Sequence, residues 1–103
     1  MCIRDRGIGG LILFERNYEN PKQLKKLIED LQGITPQQSP PLFISVDQEG
    51  GRVLRLKEPF TQFPPMCCLG HAGSDDLAYR FGLGMGKEMK AVGINMDLSL
   101  IHI

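Results

Sequence analysis

A chain of 103 residues, 42% hydrophobic and 23% charged with a formal net charge of zero, has the composition of a globular protein. The balance of charge offers no basic surface for nucleic acid or for an anionic membrane. No apolar run, Leu11 to Phe14 included, approaches the roughly 20 residues that span a bilayer.

The two ends fit nothing around them. Residues 1–6 (Met-Cys-Ile-Arg-Asp-Arg) back-translate to ATG-TGT-ATA-AGA-GAC-AG. Residues 98–103 (Leu-Ser-Leu-Ile-His-Ile) back-translate to CTG-TCT-CTT-ATA-CAC-AT. The two strings are reverse complements, and both resemble the transposon end used as a sequencing adapter. Segments 1–6 and 98–103 are therefore expected to be non-native, leaving residues 7–97 as the native part. Without Arg4, Asp5 and Arg6 its formal charge is −1, since 0 − 2 + 1 = −1. Cys2 and His102 then drop out as candidate nucleophile or ligand.

Within the native part, Gly9 to Phe14 reads as a buried strand, an apolar run bounded by glycine and by polar residues. Glu15 to Glu19 reads as a polar loop. Asn20 is a good N-cap, Pro21 suits the first helical position, and Gln23 stands where a capping-box partner belongs. Leu24, Leu27, Ile28 and Leu31 recur at helical spacing and form one apolar face. Gly33 can supply a left-handed stop. Leu42 to Val46 is a second apolar strand, followed by a long irregular stretch with Gly50, Gly51, Pro59, Pro64 and Pro65. Ser74 with Asp75 and Asp76 opens a second helix. Leu77, Ala78, Phe81, Met85 and Met89 are expected to line its inner face, Gly93 to end it, and Ile94 to Met96 to begin a third strand.

Strand, helix, strand, helix, strand is the order of a parallel sheet with crossover helices, and strands this apolar predict cover on both faces. Either a doubly wound sheet or a (β/α)8 barrel satisfies this spacing. A barrel needs about 250 residues, so residues 7–97 would hold only its first third and an incomplete core.

Neighbouring Cys67 and Cys68 have Cα atoms about 3.8 Å apart, below the roughly 4.4–6.8 Å of an unstrained disulfide. They read as free thiols used as small apolar fillers, suited to a reducing compartment, and the cytoplasm is the expected location. No Cys/His spacing points to a metal site. The run from Gly82 to Lys87 fails as a phosphate cradle. Phe81 holds the place of its first glycine, and Glu88 stands where Ser or Thr would follow the lysine. Small residues packing a helix against a sheet explain it better.

Ligands of parallel α/β folds meet the carboxyl ends of strands, which points to Asp47 and the loop after it. Gly50 and Gly51 allow close approach or positive φ, and Arg52 and Arg55 offer donor forks. Such a set can grip a sugar; equally, it can be an Asp/Arg network that pins a loop. Asp47 and Glu49 also invite a reading as a catalytic carboxylate pair. Same-face strand neighbours lie about 6.6–7 Å apart, within the inverting range, although the glycines interrupt the strand just beyond.

The segment Gly9-Gly10-Leu11-Ile12-Leu13-Phe14, then Arg16-Asn17, then Ile44-Ser45-Val46-Asp47-Gln48-Glu49-Gly50-Gly51-Arg52-Val53 resembles the start of glycoside hydrolase family 3 β-N-acetylhexosaminidases. Phe60-Thr61-Gln62-Phe63-Pro64-Pro65, Leu69-Gly70 and the run from Ala91 to Asp97 follow in the family's order. The β-glucosidase branch differs after the corresponding Val-Asp. The resemblance implies the first three strands and two helices of a (β/α)8 barrel. It also implies a retaining enzyme, needing no cofactor, that removes terminal N-acetylglucosamine from peptidoglycan-derived or chitin-like saccharides.

The resemblance further implies that Asp47 and Arg55, eight residues on, bind the sugar, and that Glu49 and Arg52 brace the loop. The family's Lys-His pair, acid–base loop and nucleophilic Asp would lie downstream, so no catalytic residue is assigned here and the 103-residue chain alone is expected to be inactive and poorly folded. His71, outside the acid–base motif, reads as a surface or cap residue in a loop. A β-glucosidase of the same family and a non-enzymatic carbohydrate-binding module are the competing readings.

Overall fold

The computed structural model describes residues 7–99. The end segments 1–6 and 98–103 therefore lie outside the described residues, apart from Leu98 and Ser99. The described chain runs β1 (Gly10–Leu13), α1 (Pro21–Gly33), β2 (Phe43–Val46), α2 (Met66–Ala72), α3 (Asp75–Val92) and β3 (Met96–Asp97). The strands form one parallel sheet in the order β1-β2-β3. The expected α/β class holds, with three helices rather than two.

Local chemistry explains where α1 begins. The Asn20 side chain accepts from the Gln23 backbone N–H at 2.8 Å, and Pro21 needs no partner for an N–H it lacks. Gln23 reaches back one residue further than a standard capping box, accepting from the Glu19 N–H at 3.0 Å. The other end differs from expectation. Gly33 lies inside α1, and Ile34 closes the helix in ordinary right-handed geometry, with its N–H on the carbonyls of Gln32 and Leu31.

α2 was not expected. Pro64 and Pro65 read as breakers, yet Pro65 serves as N-cap, and its carbonyl accepts from the Cys68 N–H at 2.9 Å. Seven residues are too few to show a helical period. His71 accordingly lies in the last turn of α2, exposed, and not in a loop. Ser74 caps α3 through its hydroxyl on the Leu77 N–H at 3.2 Å, and Gly93 ends it at φ 98°.

The core is built on one face of the sheet. Leu13, Ile44 and Val46 pack with Leu24 and Ile28 of α1 and with Phe81, Met85, Met89 and Val92 of α3. Leu77 and Ala78, expected inside, are exposed. α3 has 18 residues, a length of about 27 Å at 1.5 Å per residue, while the strands have two to four. Its first turn has nothing to cover. The expectation of cover on both faces also fails among the described residues. In register, Gly10 pairs with Phe43, Ile12 with Ser45, and Ser45 in turn with Met96, on the face away from the helices. There Phe43 is 57% and Ile12 50% exposed. Ser45 is buried and donates to the Leu11 carbonyl at 2.9 Å.

Candidate functional site

In a parallel strand the residue just past the carboxyl end leaves the ladder while its neighbours hold it in place. Asp47 occupies that position after β2, and Asp97 ends β3 beside Val46. The Leu98 N–H donates to the Val46 carbonyl at 2.8 Å, and the Asp97 carboxylate accepts from the Gln48 N–H at 2.9 Å. The two strand ends are thus tied together where β2 opens into the long loop.

That loop turns back at once. The Glu49 and Gly50 N–H groups both donate to the Val53 carbonyl, and the Val53 N–H returns a bond to Gly50. Gly50 and Gly51 have φ of 96° and 62°. A Cβ on Gly50 would stand 2.2 Å from the Pro64 carbonyl oxygen, so both uses expected of the Gly-Gly pair, positive φ and close approach, occur here. The Gly51 N–H adds a bond to the Phe63 carbonyl at 2.8 Å. Further along, the Tyr18 hydroxyl lies 3.2 and 3.1 Å from the Lys57 and Glu58 carbonyls, and the Glu88 carboxylate accepts from the N–H and hydroxyl of Thr61. Glu88 is thus a loop clamp. Of the glycines near it, Gly84 provides room for the Phe63 ring, at 3.5 Å from where its Cβ would be.

Asp47 and Arg55, the two residues expected to bind sugar, come together across this loop. One guanidinium nitrogen of Arg55 stands 3.7 Å from a carboxylate oxygen of Asp47, with the side chains 30% and 18% exposed. Charge-assisted hydrogen bonds close to about 2.7–2.9 Å, so this is an ion pair without a direct hydrogen bond. Solvent reaches both groups, which keeps the pair's own contribution to stability near that of a surface salt bridge, about 0–1 kcal/mol. The Arg55 Nε is buried and has no hydrogen-bond partner among the described residues. A buried donor left unmade costs about 1–3 kcal/mol, so this guanidinium is equipped to receive an acceptor from elsewhere.

Gln48 is the residue sequence reasoning missed. It is 2% exposed, and its side-chain oxygen accepts from the N–H groups of Arg55 and Leu56 at 2.9 and 3.1 Å. Its amide nitrogen lies 3.3 Å from the Leu56 carbonyl. Gln48 braces this loop through its side chain, and the Arg52 side chain is exposed. Asp97 was also missed, although the rule that pointed to the end of β2 applies equally to β3.

Burial pushes the Asp97 carboxyl above the usual carboxylate range. The Gln48 and Leu98 N–H groups oppose the rise, and the charges of Asp47 and Glu49 add to it. A raised folded value means the folded state holds this proton more tightly than the unfolded chain. The stability it contributes is present below the ordinary carboxylate value and is lost as pH rises through the raised one. Asp97→Asn keeps an acceptor for the Gln48 N–H and removes the titration. Relative to the parent, the variant is expected to gain stability between pH 4 and pH 7 in urea unfolding of the full-length enzyme; a difference that shrinks over that range would contradict this assignment.

Two concave surfaces, of about 470 and 630 Å³, lie elsewhere. One is lined by α1 and the end of α3, the other by the segment from Gln32 to Pro41. Both sit at the amino ends of the strands, away from Asp47, where parallel α/β folds do not bind their ligands. No group of His, Cys, Asp and Glu among the described residues could hold a metal ion, and no helix there is long and apolar enough to cross a membrane.

A family model described as the glycosyl hydrolase family 3 N-terminal domain matches residues 1–101. A β-hexosaminidase of Nitrosomonas eutropha is 42% identical over 89% of this chain and 27% of its own length. A β-hexosaminidase of Methylobacillus flagellatus is 40% identical over 94% of this chain and 29% of its own. The chain thus spans less than a third of these relatives. Among solved structures, a family 3 β-N-acetylglucosaminidase from Paenibacillus sp. superposes with a TM-score of 0.87 at 43% identity, covering 94% of this chain and 19% of that one. NagZ from Neisseria gonorrhoeae gives 0.77 at 38% identity, covering 90% and 29%. With three parallel strands, capped crossover helices and the Asp-Gln-Glu-Gly-Gly-Arg turn all in place, this chain belongs to the glycosyl hydrolase family 3 N-terminal domain family.

Proposed function

We propose that the chain is the first part of a (β/α)8 glycosidase that removes terminal β-linked N-acetylglucosamine from peptidoglycan-derived or chitin-like saccharides with retention of configuration. The observation that carries the reading is the 3.7 Å approach of Arg55 to Asp47 at the carboxyl end of β2. A carboxylate and a guanidinium at that separation can take two sugar hydroxyls between them, Asp47 accepting and Arg55 donating. The unpartnered Arg55 Nε and the uncovered face bearing Ile12, Phe43 and Met96 fit a sheet whose neighbours come from further strands.

In this reading residues 7–97 supply one wall of the sugar site, and the nucleophile and acid/base are carried by strands beyond them. The residues at 1–6 and 98–103 remain adapter-like sequence, and sequencing the locus from untagged genomic DNA tests that. Exposed free Cys67 and Cys68 suit a reducing compartment and support a cytoplasmic enzyme.

The experiment is to recover the complete reading frame and compare nitrophenyl N-acetyl-β-glucosaminide with nitrophenyl β-glucoside. Preferential release from the N-acetylglucosaminide is expected. Preference for the glucoside would move the enzyme to the β-glucosidase branch. No release from either, with saturable sugar binding, would make it a carbohydrate-binding module.

A further inference from the structure

Arg55 stands on an irregular segment and has no strand or helix to fix its height above the sheet. Its backbone N–H is held by a side chain. The Gln48 oxygen takes the N–H groups of both Arg55 and Leu56, and the Gln48 nitrogen faces the Leu56 carbonyl. A side-chain amide presents one acceptor and one donor group, as a neighbouring strand's peptide does. Gln48 therefore serves the Arg55–Leu56 segment as a one-residue substitute for a missing strand. At its own backbone, Gln48 is held by the Asp97 carboxylate at the end of β3. With the amide 2% exposed, water has little access to replace any of these bonds.

We infer that Gln48 is a positioning residue for sugar binding. Its buried amide holds the Arg55 backbone so that the guanidinium stays paired with Asp47 at 3.7 Å, too far for a direct hydrogen bond, leaving the hydrogen-bonding capacity of both groups open to the substrate's hydroxyls. The inference rests on the assignment of Asp47 and Arg55 to the sugar. It adds that the Asp47–Arg55 spacing is set by the residue between the two carboxylates and not by the pair itself. Were Arg55 free to move about 1 Å closer, the pair would bond internally and compete with substrate.

The test is a double-mutant cycle on kcat/KM of the full-length enzyme with nitrophenyl N-acetyl-β-glucosaminide, using Gln48→Met, Arg55→Ala and the double variant. Methionine keeps the length and suits burial but makes none of the three bonds. Gln48→Met alone is expected to raise KM about 10-fold with a smaller change in kcat, as lost binding common to ground and transition states requires. In the Arg55→Ala background the same change is expected to have under a 2-fold effect, because its route to the substrate is gone.

Equal effects in both backgrounds overturn the inference and make Gln48 a general structural residue. If Gln48→Met does not fold by circular dichroism, Gln48→Glu enters the same cycle. It keeps an acceptor for both N–H groups, and a smaller rise in KM than any apolar replacement is expected. A Gln48→Glu effect that persists undiminished without Arg55 overturns the inference equally. Should Arg55→Ala alone leave KM unchanged, the sugar-binding assignment fails and this inference falls with it. A damaging Arg55→Ala with an additive Gln48 effect removes the inference only.

Discussion

Asp47→Ala in the full-length enzyme is expected to lower kcat/KM for an N-acetylglucosaminide at least about 100-fold. A hydrogen bond to a charged group contributes about 1.5–3 kcal/mol, and a carboxylate spanning two hydroxyls makes two of them. Tenfold in rate corresponds to about 1.4 kcal/mol, so even the lower bound for both bonds exceeds a hundredfold. Asp47→Asn, which keeps one acceptor and the volume, is expected to lose less. Circular dichroism of both variants should match the parent, since the carboxylate stands 18% exposed outside the core cluster. An unchanged kcat/KM in Asp47→Ala would return the Asp47–Arg55 pair to the role of a loop pin.

The second large effect belongs to Gly50. Gly50→Ala would place a methyl carbon 2.2 Å from the Pro64 carbonyl oxygen, at a backbone φ of 96°. Strained φ costs about 1–3 kcal/mol, and the obstacle is backbone, which cannot rotate aside as a side chain would. The Gly50–Val53 turn and the Gly51 bond to Phe63 are expected to break together, costing about 2–4 kcal/mol by thermal or urea unfolding of the full-length enzyme. Gly82→Ala makes a suitable control, because a Cβ there meets nothing within 4 Å and φ is ordinary. It should be neutral or slightly stabilising in the interior of α3. Equal costs at the two sites would remove the argument from close approach.

How much of this was legible in the sequence follows from the range over which each signal acts. α1 and α3 were readable because Asn20, Pro21, Ser74 and Gly93 mark their ends through bonds within a few residues, and β1 and β2 because each is a short continuous apolar run. Strand and helix limits shifted by one or two residues, as fraying ends do. α2 was hidden by two prolines that start it. Leu77 and Ala78 carry the right period and yet lie exposed, because periodicity names a face and not how far along the helix a neighbour extends. The apolar strands likewise announced two faces that need cover. They could not say that the described helices would cover only the one bearing Ile44 and Val46.

The site divides in the same way. Asp47 and Arg55 were singled out by the end-of-strand rule and the family's spacing, and the fold brings them within 3.7 Å of each other. Gln48 was passed over because an uncharged polar residue between two carboxylates reads as ordinary loop. Its importance lies in bonds to residues seven and eight positions away, inside a turn whose path only the three-dimensional arrangement reveals.

The uncovered side of the sheet has a consequence for handling. Phe43, Ile12 and Met96 form a bare apolar strip on three parallel strands, and among the described residues β1 and β3 each leave one edge of backbone groups without a ladder partner. Stickiness and unfinished hydrogen bonding thus coincide, which is the combination that drives strand stacking between molecules. Produced alone, the segment should sediment or be captured by chaperones in proportion to its concentration. Lysine at positions 12 and 43 should keep it dispersed without touching the helix-side core.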